Sequence, residues 1–108
     1  MRFISGIHRG RKINLPKNLN IRPTTDLSKE SLFNILNNTF EFSNISFLDL
    51  FSGSGSISFE FASRGCKKIT SVDINHNAIK FIKSISNQLE LGLNCVKSDT
   101  IRFIKNSE

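Results

Sequence analysis

The run F-L-D-L-F-S-G-S-G-S over residues 47–56 constrains the fold more than any other part of the chain, because a nearly all-apolar segment ends abruptly in a glycine loop. A short apolar run of this kind reads as a strand over 47–51 buried on both faces. Gly53 and Gly55 allow the backbone to turn tightly, and the pattern that follows predicts a helix over 56–64 stopped by Gly65. The alternation then continues. A strand is expected over 68–73, and a helix over 75–91 with Ala78, Ile82, Ile85 and Leu89 on one face and Gly92 closing it. A third strand over 94–98 and a helical segment beginning over 100–105 complete the pattern. Strands alternating with helices give parallel βαβ units with right-handed crossovers. The expected fold class is therefore α/β, with any ligand at the carboxyl ends of the strands.

Upstream, residues 1–25 alternate loosely and are punctuated by Gly6, Gly10 and Pro16, which predicts two short strands in a hairpin and then an extended segment. A helix should start near residues 26–28, with Leu32, Leu36 and Phe40 forming an apolar stripe beside Ile35, and end around 41–45. This divides the chain into a basic N-terminal hairpin or arm, 1–25, and an α/β part, 26–108.

The net charge of +6 lies entirely in the first part: Arg2, Arg9, Arg11, Lys12, Lys17 and Arg22 face no acid there, while the rest of the chain is balanced. Such a block suits phosphate contact with RNA, and equally a solvated arm that only aids solubility. No apolar run approaches the ~18 residues of a membrane span, and the charged N-terminus is unlike a secretory signal. Cys66 and Cys95 lack metal-ligand spacing and read as buried, reduced thiols of a cytosolic protein. His8 and His76 have no partners at ligand spacing, so no metal is expected, and no nucleophile–base arrangement is visible.

Three acids bear on the ligand class, and Asp49 separates the candidates best, since the role of Asp73 is shared by nicotinamide and S-adenosylmethionine folds. The G-x-G-x-x-G fingerprint of dinucleotide loops is incomplete, because Ser58 stands at its third position. Asp49, just before the loop, would repel a pyrophosphate but could pair with a cationic group. S-adenosylmethionine offers both signs at one end, a carboxylate for the loop N–H groups and an ammonium for Asp49. Asp73 ends the second strand at ribose-binding spacing, with an N-cap as its bland alternative. Asp99 ends the third strand, where it could accept from an adenine amino group or cap the next helix. A nicotinamide-dependent oxidoreductase fragment and a non-catalytic RNA-binding module are the competing readings.

In the stretches R-F-I-S-G, G-R-K-I-N-L-P, N-I-R-P-T-T-D-L-S-K-E-S-L-F-N-I-L and F-L-D-L-F-S-G-S-G-S-I-S-F-E-F-A-S-R-G-C-K-K-I-T-S-V-D, the chain resembles the bacterial methyltransferases that modify a guanine N2 of 16S ribosomal RNA. The resemblance implies a Rossmann-like, S-adenosylmethionine-dependent fold with an N-terminal extension, in a cytoplasmic enzyme that is monomeric across the family. Carried over by position, it implies that Asp49, Ser52, Gly53 and Gly55 hold the methionine end of the donor. Asp73 and Ile74 would meet ribose and adenine, and Asp99 with Thr100 the adenine amine. Arg22, Thr24 and Thr25 would border the pocket. Arg2, Arg9, Arg11 and Lys12 would touch 16S rRNA, free or in an assembling small subunit. The family's acid-Pro-Pro-aromatic amine site is absent here, so no catalytic residue is assigned. The chain is accordingly expected to be the donor-binding N-terminal portion of a longer enzyme, with the first three parallel strands only; this would leave Phe47, Leu48, Leu50 and Phe51 beside an unpaired edge and make the chain marginally stable, inactive alone and prone to self-association.

Overall fold

A computed structural model describes residues 1–22 and 24–107. Pro23, part of the R-P-T-T-D run, and Glu108 lie outside the described residues. The three expected strands form as β1 (Ser46–Asp49), β2 (Lys68–Asp73) and β3 (Asn94–Lys97). They pair in parallel in the order β1-β2-β3, with Asp49 opposite Ser71 and Val72 opposite Val96. Helix α1 (Asp26–Asn37) precedes the sheet. Helix α2 (Ser56–Ser63) links β1 to β2, α3 (His76–Gln88) links β2 to β3, and α4 (Thr100–Asn106) follows β3. This is the anticipated α/β architecture, a three-stranded part of a Rossmann-like sheet.

Helix α2 organises the core because it carries phenylalanines on two of its sides. Phe59 packs with Phe3, Ile13, Leu19, Ala78, Phe81 and Ile82, so the N-terminal segment and α3 close on it together. Phe61 turns to a second cluster with Phe33, Phe42, Cys66 and Ile69, and stacks on Phe47 with ring centroids 3.8 Å apart. Each such side chain contributes about 1.5–3 kcal/mol relative to an exposed one.

Several local expectations change. The first strand ends at Asp49 and lies at the sheet edge; Leu48 is 47% and Phe51 80% exposed, against the burial on both faces that the apolar run by itself suggests and in keeping with the unpaired edge expected beside a first strand when only three strands are present. Helix α1 buries Lys29 and Phe33, not the Leu32, Leu36 and Phe40 stripe; Ile35 is 68% exposed and Phe40 lies beyond the helix. The reason is tertiary: Lys29 finds a carboxylate on α2, which lets a charged residue occupy the inward face. The inward face of α3 is wider than expected, with Ile79 and Phe81 buried beside Ala78 and Ile82, while Ile85 and Leu89 are only partly covered. It is also closed earlier, by Glu90 at φ 56°, with Leu91 N–H donating back to the Ser86 carbonyl.

The N-terminal hairpin closes through one antiparallel bridge, Arg2 with Lys12, rather than two regular strands. Phe3 N–H donates to the Arg11 carbonyl and Gly10 N–H to the Phe3 carbonyl. Ile4 and Ser5 instead donate their N–H groups to the Glu60 carboxylate, at 2.8 and 3.0 Å, which takes them out of the ladder. Cys66 is buried and Cys95 half-buried; both are free thiols. Among the described residues no helix is long and apolar enough to cross a membrane, and no cluster of potential metal ligands occurs.

Candidate functional site

The parallel register brings the distinctive acids to one edge of the sheet. Asp49 and Asp73 are the last residues of β1 and β2, and Asp99 stands just past β3. The ladder continues into the loops: Ser52 N–H donates to the Val72 carbonyl and Ser98 N–H to the Asp73 carbonyl. Gly53, at φ 52°, donates its N–H to Asp73 Oδ2 at 2.9 Å, which staples the glycine loop to the tip of β2. Asp73 Oδ1 accepts from Asn75 N–H. Capping of α3 falls to Asn75, whose side chain accepts from Asn77 and Ala78, and not to Asp73. Each Asp73 oxygen keeps a second lone pair for a hydroxyl donor.

Asp49 is held more firmly. Its Oδ2 accepts the Ser58 hydroxyl at 2.8 Å, and its backbone carbonyl accepts the Ser52 hydroxyl at 3.0 Å. Burial pushes the Asp49 carboxyl above its ordinary value, the Ser58 hydroxyl pulls it back, and the neighbouring Asp73 charge adds to the rise. Asp99 is exposed and caps α4, accepting from Arg102 N–H at 3.1 Å. It borders a shallow depression with Ile74, which is 67% exposed, and Lys97, Ser98 and Arg102. The Thr100 hydroxyl donates to the Leu50 carbonyl at 3.0 Å, tying the start of α4 to the end of β1.

The segment before α1 passes over the glycine loop. A Cβ on Gly53 would come within 3.4 Å of Ile21 Cγ2, which places the approach to Arg22 and Thr24 at the rim. Arg22 and Thr24 are exposed, while Thr25 caps α1 by accepting from Ser28 N–H. Arg2, Arg9, Arg11 and Lys12 are all exposed. Their hairpin lies along α2: Lys29 Nζ donates to both the Arg2 carbonyl and Ser56 Oγ at one end, and Ile7 N–H donates to the Ser63 carbonyl at the other. Arg2 also pairs with Asp26 at 3.2 Å.

Residues absent from the sequence-based site prove central. Glu60 is fully buried, accepts from Ile4, Ser5 and Arg64, and lies 3.7 Å from Lys29 Nζ. Burial lowers the Lys29 pKa and the Glu60 charge opposes that shift. The available signal was a lone charged residue, a glutamate between Phe59 and Phe61, in a helix otherwise made of Ser, Ile, Phe and Ala. Ser71, whose hydroxyl donates to Ser58 Oγ, carried no sequence signal.

Comparison with known proteins matches residues 1–108 to the family described as Conserved hypothetical protein 95. A candidate rRNA methyltransferase of Bacillus subtilis (strain 168), YlbH, is 42% identical over 91 residues, 84% of this chain and 48% of its own length. Ribosomal RNA small subunit methyltransferase D of Haemophilus influenzae is 39% identical over 97 residues, 90% of this chain and 46% of its own. A solved Escherichia coli structure, described as a candidate methyltransferase, superposes with a TM-score of 0.84 at 32% identity, covering 95% of this chain and 55% of that one. The chain thus spans about half the length of the curated relatives it matches.

Proposed function

Because the chain belongs to the family described as Conserved hypothetical protein 95, and its relatives include proteins named as rRNA methyltransferases, we propose that it forms the donor-binding part of a cytoplasmic, S-adenosylmethionine-dependent methyltransferase acting on RNA. The acceptor we infer is a guanine N2 of 16S rRNA, in free RNA or an assembling small subunit. The observation that carries this reading is the convergence of Asp49, Asp73 and Asp99 on one sheet edge around a glycine loop that Asp73 itself fastens.

The donor set fits the ligand's chemistry. Acceptor oxygens crowd the strand tips, where ribose hydroxyls and an ammonium would find partners. A carboxylate as close to the loop as Asp49 disfavours a pyrophosphate by direct repulsion. When bound, S-adenosylmethionine supplies a methyl group on a positively charged sulfur, open to displacement by an amine. Asp49 would pair with the ammonium, Asp73 would accept hydrogen bonds from the ribose hydroxyls, and Ile74 with Asp99 would flank the adenine. Ser52, Gly53 and Gly55 shape the methionine end. Arg22, Thr24 and Thr25 would lie at its rim, and Thr100, tied to the Leu50 carbonyl, would stand beside Asp99 at the adenine amine. The protein's contribution is alignment and exclusion of water rather than proton transfer. Arg2, Arg9, Arg11 and Lys12 present positive charge to the RNA backbone.

Titration calorimetry on the 108-residue chain tests the donor assignment. S-adenosylhomocysteine should bind, and Asp73→Asn should weaken it; tighter binding of NADH would overturn the reading in favour of an oxidoreductase.

A further inference from the structure

Ser58 occupies the position where a dinucleotide loop has its third glycine, and its hydroxyl has a definite use. Asp49 and Ser71 are register partners on β1 and β2, so their side chains leave the same face of the sheet. Helix α2 lies over that face and lowers Ser58 between them. Ser71 Oγ donates to Ser58 Oγ at 2.8 Å, and Ser58 Oγ donates to Asp49 Oδ2 at 2.8 Å. Both serines are fully buried, and every hydroxyl in the chain points its proton toward the carboxylate. Aligned hydrogen bonds that end on an ionised acceptor strengthen one another and fix its orientation. With Oδ2 held by Ser58, the Asp49 carboxylate is fixed at the foot of the glycine loop, where the Phe51 backbone and the Ser52 side chain also favour its charged form.

We propose that Ser58 and Ser71 are positioning residues that fix the Asp49 carboxylate for pairing with the ammonium of the donor's amino-acid end, making the site selective for a ligand that carries that cation. The inference rests on the donor-binding reading above and adds a determinant of its selectivity. A glycine at position 58 would give close helix–strand packing but leave Asp49 Oδ2 without this donor. The serine therefore commits the loop to an aminated ligand at the point where a dinucleotide fold commits itself to a pyrophosphate.

The test compares S-adenosylhomocysteine with its deaminated analogue, which keeps the carboxylate and the nucleoside and lacks only the ammonium. The parent chain should prefer the aminated ligand. Ser58→Ala should reduce that preference roughly tenfold, the scale of one charge-assisted hydrogen bond, while leaving affinity for the deaminated analogue within about twofold. Ser71→Ala should act in the same direction with a smaller effect, and decides the matter if Ser58→Ala does not fold. A general packing defect would weaken both ligands equally. Preference retained in both variants, or equal loss for both ligands, overturns the positioning role. A parent chain that binds S-adenosylhomocysteine without preferring it removes Asp49 as the ammonium partner and the inference with it. A parent chain that binds neither ligand overturns the donor-binding reading itself.

Discussion

A Cβ at position 6 would lie 1.9 Å from the Ser63 carbonyl oxygen, whereas one at position 10 would meet nothing within 4 Å, although the two glycines have φ values of 85° and 82°. Both alanine substitutions incur left-handed strain of about 1–2 kcal/mol. Only Gly6→Ala must also displace the backbone contact with α2, adding roughly 1–3 kcal/mol. Urea denaturation should therefore rank Gly6→Ala well below Gly10→Ala; equal losses would mean that the docked turn adds no stability. Asp49 sets a different balance. Its carboxyl is raised by burial in the folded chain, so the folded state holds more protons than the unfolded one between the two pKa values. Stability from this group is highest below the unfolded value, near pH 3.9, and falls as pH rises through the window above it. Asp49→Asn removes that cost. The variant should gain stability over the parent as pH rises from about 4 to 7, while binding S-adenosylhomocysteine less well. Denaturation midpoints across that range check the sign.

At the scale of elements, α2 is the piece to which the others are fastened. Its first turn carries Ser58 to the β1 and β2 tips, its middle carries Glu60 to the hairpin backbone and to Lys29, and its last residue, Ser63, accepts the turn at Ile7. The Glu60 carboxylate is the joint between hairpin and helix. Glu60→Ala would leave the Ile4 and Ser5 N–H groups and a buried lysine without their partner, which costs about 3–5 kcal/mol. Glu60→Gln keeps an acceptor and should lose distinctly less. If chemical denaturation finds the two variants equal, the carboxylate's hydrogen bonds are not what holds the hairpin down.

For the whole molecule, polarity along α2 matters most. The glycine loop and the aspartates sit at the helix's N-terminal end, while the hairpin runs the length of the helix, with Arg2 and its bridge partner Lys12 at the Ser56 end and the turn before Arg9 at the Ser63 end, a span of about 12 Å for eight residues. Under the proposed function, the aspartates at the strand tips would serve the donor and the basic hairpin beside α2 would offer positive charge to an RNA backbone. If the hairpin meets phosphates, replacing Arg9, Arg11 and Lys12 with glutamine should flatten the dependence of RNA affinity on log salt by roughly 2 units. An unchanged slope in filter-binding or anisotropy titrations would take the hairpin out of RNA contact.

The α/β class, the three strands, the glycine loop and the aspartates at the strand tips were legible in the linear sequence. Each rests on a local rule: apolar runs bounded by turn residues, the glycine loop at 53 and 55, and carboxylates at fixed offsets from strand ends. The inward face of α1 was not legible, because Lys29 can turn inward only when Glu60 waits there from another helix. The open edge beside Leu48 and Phe51 was legible only through the family resemblance, since the apolar run by itself reads as buried on both faces. The meaning of Ser58 changed most: as a letter it was a missing glycine, and in three dimensions it is a hydroxyl between Asp49 and Ser71. Sequence alone determined which residues reach the strand tips, since that depends on neighbours along the chain. Tertiary structure decided what each tip residue is bonded to and which way it points, since those partners come from separate elements that only folding brings within 3 Å.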